Sequence, residues 1–190
     1  LALEPKARPG ARPWSPRMPL VGRNTELSLL GDAVSASIDR HRALVLLLSG
    51  DAGVGKSRLA DALAQRAKQV NGARAFTGRF IPYGEVNQWS AIAEVLRQGL
   101  SLGEDAPEDE AHTAIVASVE RLFDPVLDGN DVEGVANGLL HLMGYDSPLR
   151  GTDPGRARVE ATRALVGYML ASVRHGPIVV RLTDLHWADD

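Results

Sequence analysis

The sequence predicts an α/β fold with a parallel sheet, and three observations point to it. Residues 43–49 form an apolar run, ALVLLLS, without the polar alternation of a strand that faces water on one side. A segment of helical period and an alternating run at 73–80 follow it, which is the order of a βαβ unit. Aromatic residues make up only 5% of the chain, which favours an α/β or helical protein over a β-sandwich.

Composition limits the class of protein further. The chain has 190 residues, 44% of them hydrophobic, which is enough to bury one core. Its formal net charge of −3 provides no field that would attract nucleic acid or an anionic membrane, and no apolar run approaches the roughly 18 residues of a membrane span. The absence of cysteine excludes disulfides and thiolate metal sites. These features predict a cytoplasmic domain that binds neither nucleic acid nor membrane directly.

The N-terminal part of the chain divides into a tail, a helix and the βαβ unit. Residues 1–19 are dense in Pro and Arg and lack periodicity, which predicts a linker or disordered tail. An amphipathic helix is predicted over 25–41, with Asn24 or Thr25 as its cap. A second helix is expected to begin at about Lys56, after a Gly-rich turn. Its predicted inward-facing side chains are Leu59, Leu63 and Ala67.

A helical insertion is predicted over about 88–153, ahead of the closing strand IVVRLT. The expected helices cover 89–100, about 107–123, 131–143 and a longer segment at about 155–175. Acidic residues dominate the segment 101–133 and raise the question of a metal site. Their spacing fits no EF-hand loop, so a solvated helical face is the favoured interpretation.

Residues 50–57 carry the pattern that points most directly to a function. They read GDAGVGKS and match G-x-x-x-x-G-K-[ST] at every fixed position, between a predicted strand and a predicted helix. Glycines let the backbone wrap a polyphosphate with its N–H groups pointing inward, and the helix N-terminus adds the positive end of its dipole. Lys56 is expected to reach the β- and γ-phosphates, and the Ser57 hydroxyl to ligate Mg²⁺. The motif predicts a site for a nucleoside triphosphate.

Four segments together resemble a known family. They are LVGR at 20–23, GDAGVGKSRL at 50–59, GRF-x-PYGE at 78–85 and DLHWAD at 184–189. Their combination is similar to the AAA-like ATPase domain of the STAND class of signal-transduction P-loop NTPases. Bacterial LuxR-type regulators and fusions to adenylate or guanylate cyclases carry such domains. The resemblance covers residues 20–190 and implies a three-layer αβα P-loop NTPase fold of the ASCE/AAA-like type, of which this chain would be the N-terminal part.

The resemblance also assigns residues to ATP. Val21, Gly22 and Arg23 would lie near the adenine, although a simple chain reversal before the first helix explains them equally well. The residues expected to hold the phosphates are Gly50, Asp51, Ala52, Gly53, Val54, Gly55, Lys56, Ser57 and Arg58. A further strand with a polar sensor, an arginine finger, a helical lid and signalling output domains would follow residue 190.

The closing strand leads to Asp184, and here the sequence departs from the family. The family motif has two consecutive acids, the first for Mg²⁺ and the second for the attacking water, whereas this chain has Thr183 in the first position. Lys56 and Asp184 are the candidate catalytic residues. Either Asp184 ligates Mg²⁺ and no base is present, or Asp184 is the base and Mg²⁺ relies on Ser57, the phosphates and water. Arg181 also interrupts the otherwise apolar strand.

These observations predict an ATP-binding regulatory domain that couples MgATP binding to a signalling or transcriptional output, with binding favoured over efficient hydrolysis. Nucleotide-dependent self-association is a further expectation. The alternative is a degenerate nucleotide-binding module that acts as a protein–protein scaffold, which Thr183 favours and the intact Lys56 and Ser57 oppose. A small-molecule or nucleotide kinase is disfavoured because the loop begins only at Gly50 and no Arg-rich lid follows it.

Overall fold

The computed structural model describes residues 22–81, 89–124 and 131–188. Its elements are α1 (Asn24–Asp39), α2 (Lys56–Asn71), β1 (Arg74–Arg79), α3 (Ser90–Leu100), α4 (Glu108–Leu122), α5 (Val132–Met143), α6 (Pro154–Val173) and β2 (Ile178–Thr183). Two short 3₁₀ turns follow α5 and β2, at Pro148–Gly151 and Leu185–Trp187. The predicted tail at 1–19, Val21 and part of the GRF-x-PYGE segment lie outside the described residues. Within them, no helix is both long and apolar enough to cross a membrane.

The predicted helices are confirmed to within a few residues, and two of them have side-chain caps. Asp131 accepts a hydrogen bond from the backbone N–H of Gly134 (3.1 Å) at the start of α5. Asp153 does the same for Arg156 (3.0 Å) at the start of α6. The cap predicted for α1 is wrong. Asn24 already lies in the first turn, Arg23 occupies the cap position, and no side chain caps this helix.

The described sheet consists of two parallel strands, β1 and β2, in register from Arg74 opposite Ile178 to Arg79 opposite Thr183. Both strands were predicted, and both are confirmed. Because they run parallel, their carboxyl ends meet at one edge of the sheet, where Arg79 and Thr183 lie side by side. A helix-rich chain with a small parallel sheet is compatible with the predicted α/β class.

The strand predicted at 43–49 is not formed in the described residues. Residues 42–51 have no regular secondary structure and pair with neither β1 nor β2. Val45 is 91% exposed and Leu47 75% exposed. The apolar run was interpreted as a strand covered on both faces, but a strand requires a hydrogen-bonded neighbour as well as apolar character. No described segment supplies one.

The outer edge of β1 is closed by side chains of α3 rather than by a strand. The side-chain amide of Gln98 donates to the Thr77 carbonyl (2.7 Å) and accepts from the Thr77 N–H (3.1 Å). One helical turn earlier, the Glu94 carboxylate accepts from the Arg79 N–H (2.9 Å). These bonds satisfy backbone groups that an edge strand would otherwise present to another chain.

Helix α3 lies very close to β1, and Gly78 permits this approach. A Cβ atom at Gly78 would collide with the backbone carbonyl of Ala91, which cannot move as a flexible side chain would. Phe76, on the same face of the strand, lies against Gly99 at the other end of α3. Strand β1 is therefore fixed to α3 by close packing on one face and by hydrogen bonds along its edge.

The main hydrophobic core lies among helices α3–α6, which supply every buried residue of the cluster. Its most completely buried large side chains are Ile115, Val119, Leu139 and Leu142. Inside this core the hydroxyls of Ser118 and Tyr168 form a hydrogen bond of 2.8 Å, so neither polar group is left unsatisfied. The predicted inward face of α2 is confirmed, because Leu59, Leu63 and Ala67 are buried. They lie outside the cluster formed by α3–α6.

Candidate functional site

The loop between residue 49 and α2 has the conformation that its glycines predict. Gly53 and Gly55 have φ of 83° and 88°, in the left-handed region that side-chain-bearing residues rarely adopt. Gly55 occupies the N-cap of α2 with no side-chain cap, and Leu59 donates the first backbone bond of the helix to Gly55 (3.0 Å). The first-turn N–H groups of α2 therefore face the loop without a capping side chain, as in helix N-termini that bind phosphate.

Lys56 is held across the mouth of this loop. Its ammonium group donates to the carbonyl oxygens of Gly50 (2.7 Å) and Asp51 (2.8 Å). Two oxygen acceptors thus hold the positive charge within the curve of the loop, beside the N-terminus of α2. Phosphate oxygens are stronger acceptors than these carbonyls, because hydrogen bonds between ionised partners are about twice as strong as neutral ones.

Arg23 connects the start of α1 to the phosphate loop. Its guanidinium donates to the Val54 carbonyl (3.0 Å) and forms an ion pair with Glu26 (3.6 Å). A cleft of about 400 Å³ lies here, within the usual size range of small-molecule sites. Its lining is Arg23, Leu47, Leu48, Ser49, Gly50, Asp51, Val54, Lys56 and Leu59.

The cleft brings together five of the predicted nucleotide-binding residues, which are Arg23, Gly50, Asp51, Val54 and Lys56. The others on the loop and first turn do not line the cleft: Ala52, Gly53, Ser57 and Arg58 are exposed, and Gly55 is partly buried. Gly22 is described and exposed, in a left-handed conformation with φ of 76°. Asp184 does not line the cleft.

Asp184 lies just beyond the carboxyl end of β2 and is engaged by Arg79. It adopts a left-handed conformation (φ 59°, ψ 39°) and precedes the 3₁₀ turn at Leu185–Trp187. The Arg79 Nε lies 3.4 Å from Asp184 Oδ2, with both side chains substantially exposed. An exposed ion pair of this kind contributes little stability, about 0–1 kcal/mol, so a metal ion competes with it at small cost.

The Thr183 hydroxyl is buried without a hydrogen-bond partner among the described residues. A buried hydroxyl without a partner costs about 1–3 kcal/mol. This hydroxyl lies at the carboxyl end of β2, next to Asp184, and a polar group of a bound ligand would satisfy it.

In the described ranges no cluster of three His, Cys, Asp or Glu side chains could hold a metal by itself. Ser57 and Asp184 could therefore hold Mg²⁺ only with help from phosphate and water oxygens, as is usual for Mg²⁺.

Arg181, which interrupts the apolar strand, has a specific partner. Its guanidinium forms a hydrogen-bonded ion pair with the carboxylate of Asp61 on α2. Sequence reasoning identified Arg181 as anomalous but missed Asp61. Two features of the sequence could have indicated the pair. Asp61 lies one helical turn after Ser57, and Arg181 lies on the strand that leads to Asp184.

A glycine loop with left-handed residues, a helix N-terminus behind it and a lysine across its mouth is the arrangement of P-loop nucleotide-binding domains. Residues 19–190 match the AAA ATPase domain family, and the chain belongs to that family. It is also similar to an uncharacterized protein of Rhizobium meliloti (strain 1021), with 32% identity over 177 residues. That alignment covers 90% of this chain and 16% of the relative's length. No solved structure matches the chain. Membership of the family implies nucleotide binding.

Proposed function

We propose that this domain binds ATP with Mg²⁺ and couples binding to a signalling or transcriptional output elsewhere in a longer protein, as the resemblance to STAND-class regulators implies. The observation that carries the proposal is the placement of the Lys56 ammonium against the Gly50 and Asp51 carbonyls, within the loop at the start of α2. A cationic group, uncapped N–H groups and the positive end of a helix dipole converge there. They form a site for a polyphosphate.

In this proposal Lys56 exchanges its two carbonyl acceptors for oxygens of the β- and γ-phosphates. The N–H groups of the loop and of the first turn of α2 bind the remaining phosphate oxygens. Arg23 and Leu47 also line the cleft, and in this proposal the nucleoside lies against them. Gly22 and Arg23 would then lie near the adenine.

The metal side of the site combines Ser57, Asp184 and Thr183. Mg²⁺ supplies charge neutralisation between the phosphates when it is bound. The Ser57 hydroxyl is the proposed direct ligand. With Mg²⁺ bound, the Thr183 hydroxyl would accept a hydrogen bond from water in the metal's shell and so gain the partner that it lacks among the described residues. Because Thr183 is neutral, the site has less negative charge than a site with two acids, and Mg²⁺ should bind more weakly.

Two roles for Asp184 fit this arrangement, and they have different consequences. As a metal ligand, Asp184 leaves Arg79 when MgATP binds, and hydrolysis lacks a base. As the base, it orients a water molecule, and Mg²⁺ depends on Ser57 and the phosphates. Phosphate release by the wild type and by Asp184→Asn, measured together with MgATP affinity, distinguishes the two roles. Loss of affinity indicates the first role, and loss of turnover with unchanged affinity indicates the second.

The proposal is tested by titrating ATP with and without Mg²⁺ and following thermal unfolding. ATP at a hundred times its Kd should add about 2.7 kcal/mol of apparent stability to the wild type. Lys56→Met keeps the length of the side chain, removes its charge and should lose most of this gain. The matched control is Lys68→Met, at the exposed C-terminal end of the same helix, which should keep the gain.

If Lys56→Met and the wild type gain equal stability from ATP, the phosphate loop is not the binding site. If neither responds, the second candidate function is favoured, a degenerate module that acts as a protein–protein scaffold. The neutral Thr183 beside Asp184 is the observation that supports this second function. Sedimentation velocity with and without ATP then tests for nucleotide-dependent self-association.

A further inference from the structure

An ion pair between Arg181 and Asp61 joins α2 to β2. The Arg181 side chain is 23% exposed, less than the side chains of Arg23, Arg66, Arg79 and Arg150 in their ion pairs. Asp61 is about half exposed. Burial removes part of the water around the Arg181 guanidinium, and the Asp61 carboxylate compensates the buried charge.

The two partners lie on the elements that carry the proposed metal side of the site. Asp61 follows Ser57 by four residues on α2, so the two side chains lie on one face of the helix, one turn apart. Arg181 precedes Thr183 by two residues on β2, so these side chains lie on one face of the strand. The ion pair thus connects the helix face that carries Ser57 to the strand face that carries Thr183.

Apolar packing alone does not fix this junction firmly. Every residue of β2 is only partly buried, and neither α2 nor β2 contributes to the main core cluster. Hydrophobic contacts are non-directional, whereas a guanidinium and a carboxylate bond in a defined geometry. The separation and the relative rotation of α2 and β2 therefore depend on this pair more than they would at a fully packed apolar junction.

We infer that Arg181 and Asp61 are positioning residues for the metal side of the nucleotide site. Their ion pair sets the distance between Ser57 on α2 and the Thr183–Asp184 end of β2, across which Mg²⁺ would be held. This inference rests on the proposed function. It explains why a charged residue lies within the strand that bears the candidate acid.

The test measures the Kd of ATP by calorimetry, once with Mg²⁺ and once with EDTA. The ratio of the Kd in EDTA to the Kd with Mg²⁺ is the Mg²⁺-dependent gain in affinity. Arg181→Leu and Asp61→Asn should each reduce this gain, by about tenfold, as loss of outer-shell partners does at metal sites. The Kd in EDTA should stay within about twofold, because Lys56 and the loop are unchanged. The reversed pair, Asp61→Arg with Arg181→Asp, should recover much of the gain.

The matched control is Asp32→Asn. It breaks the ion pair between Arg66 on α2 and Asp32 on α1 (3.5 Å), which joins the same helix to a different element. This variant should leave the Mg²⁺-dependent gain unchanged. Arg181→Lys keeps the positive charge but loses the planar guanidinium that bonds a carboxylate through two N–H groups. Its Mg²⁺-dependent gain should lie between those of the wild type and Arg181→Leu. It provides an independent measurement if the reversed pair does not fold.

Three results would overturn the inference. In the first, Arg181→Leu and Asp61→Asn lower the melting temperature but leave the Mg²⁺-dependent gain intact, so the pair is structural only. In the second, Asp32→Asn reduces the gain as much, so the effect belongs to α2 as a whole. In the third, the wild type does not bind ATP at all, which also refutes the proposed function. Binding that is sensitive to Lys56→Met with no effect of Asp61→Asn refutes the inference alone.

Discussion

The helical cluster α3–α6 and the phosphate-loop region, formed by α1, residues 42–55 and α2, are held together by different kinds of contact. In the cluster, large apolar side chains such as Ile115 and Leu139 are fully buried. In the phosphate-loop region, residues 44–47 are exposed, and the described contacts across it include polar bonds from Arg23 and Lys56.

This difference separates stability from binding chemistry. Burial of a Leu or Ile side chain stabilises by about 1.5–3 kcal/mol and tolerates little rearrangement, because cores are closely packed. Exposed polar bonds contribute less and exchange readily for bonds to a ligand. Regions with few buried apolar contacts open more easily and are where ligand-binding loops are commonly found. The region that would have to accommodate a nucleotide is therefore the less firmly packed one.

The largest expected effect on the free energy of unfolding comes from replacing a buried Leu by Ala in each of the two regions. Leu139→Ala should reduce the free energy of unfolding by about 4–5 kcal/mol, near the upper limit for a buried Leu that leaves a cavity. Leu63→Ala on α2, outside the main cluster, should cost about 2–3 kcal/mol because its surroundings can collapse more easily. Urea denaturation of both variants provides the measurement, and equal losses would refute the contrast between the regions.

A smaller effect is expected where the sheet meets the cluster, at the Gln98 side chain. Gln98→Leu removes both hydrogen bonds to Thr77, and at about 1 kcal/mol each it should cost roughly 1–2 kcal/mol. It also exposes the edge of β1, so light scattering should show more association during unfolding. Gln65→Leu, at a partly buried position of α2, is the matched substitution and should not increase association. Unchanged stability and scattering in Gln98→Leu would show that these bonds do not protect the edge.

The smallest effect is expected at Thr183. Thr183→Val removes a buried hydroxyl that has no partner among the described residues, so the nucleotide-free protein should become more stable by up to about 1 kcal/mol. The same variant should weaken MgATP binding and leave binding in EDTA unchanged. Thermal unfolding with each ligand condition measures both. A loss of stability without ligand would show that the hydroxyl does have a partner.

Local patterns predicted most of the elements correctly. The 3.6-residue period predicted the six described helices, and the inward face of α2 was confirmed at Leu59, Leu63 and Ala67. Motif spacing also placed Lys56 at the start of α2. These features depend on neighbours within a few residues along the chain, which a sequence displays directly.

Predictions that depended on distant partners were wrong or incomplete. The run at 43–49 is as apolar as a strand, but strand formation depends on a neighbouring chain segment that the run itself does not specify. The partnership of Arg181 with Asp61 spans 120 positions, and that of Gln98 with Thr77 crosses from a helix to a strand edge. Side-chain hydrogen bonds of this kind depend on the three-dimensional positions of both residues, and no periodicity in the sequence indicates them.

The Glu94 bond to the Arg79 backbone, described above as part of the sealed edge of β1, also has a thermodynamic consequence. Helix α3 holds Arg79 through Glu94, and Arg79 in turn holds Asp184. A molecule that displaces α3 relative to β1, and thereby changes the affinity for nucleotide by some factor, must bind more tightly or more weakly by that same factor when nucleotide is present. Two contacts therefore connect the helical cluster to the candidate acid, and the exposed Arg79–Asp184 ion pair keeps this connection weak.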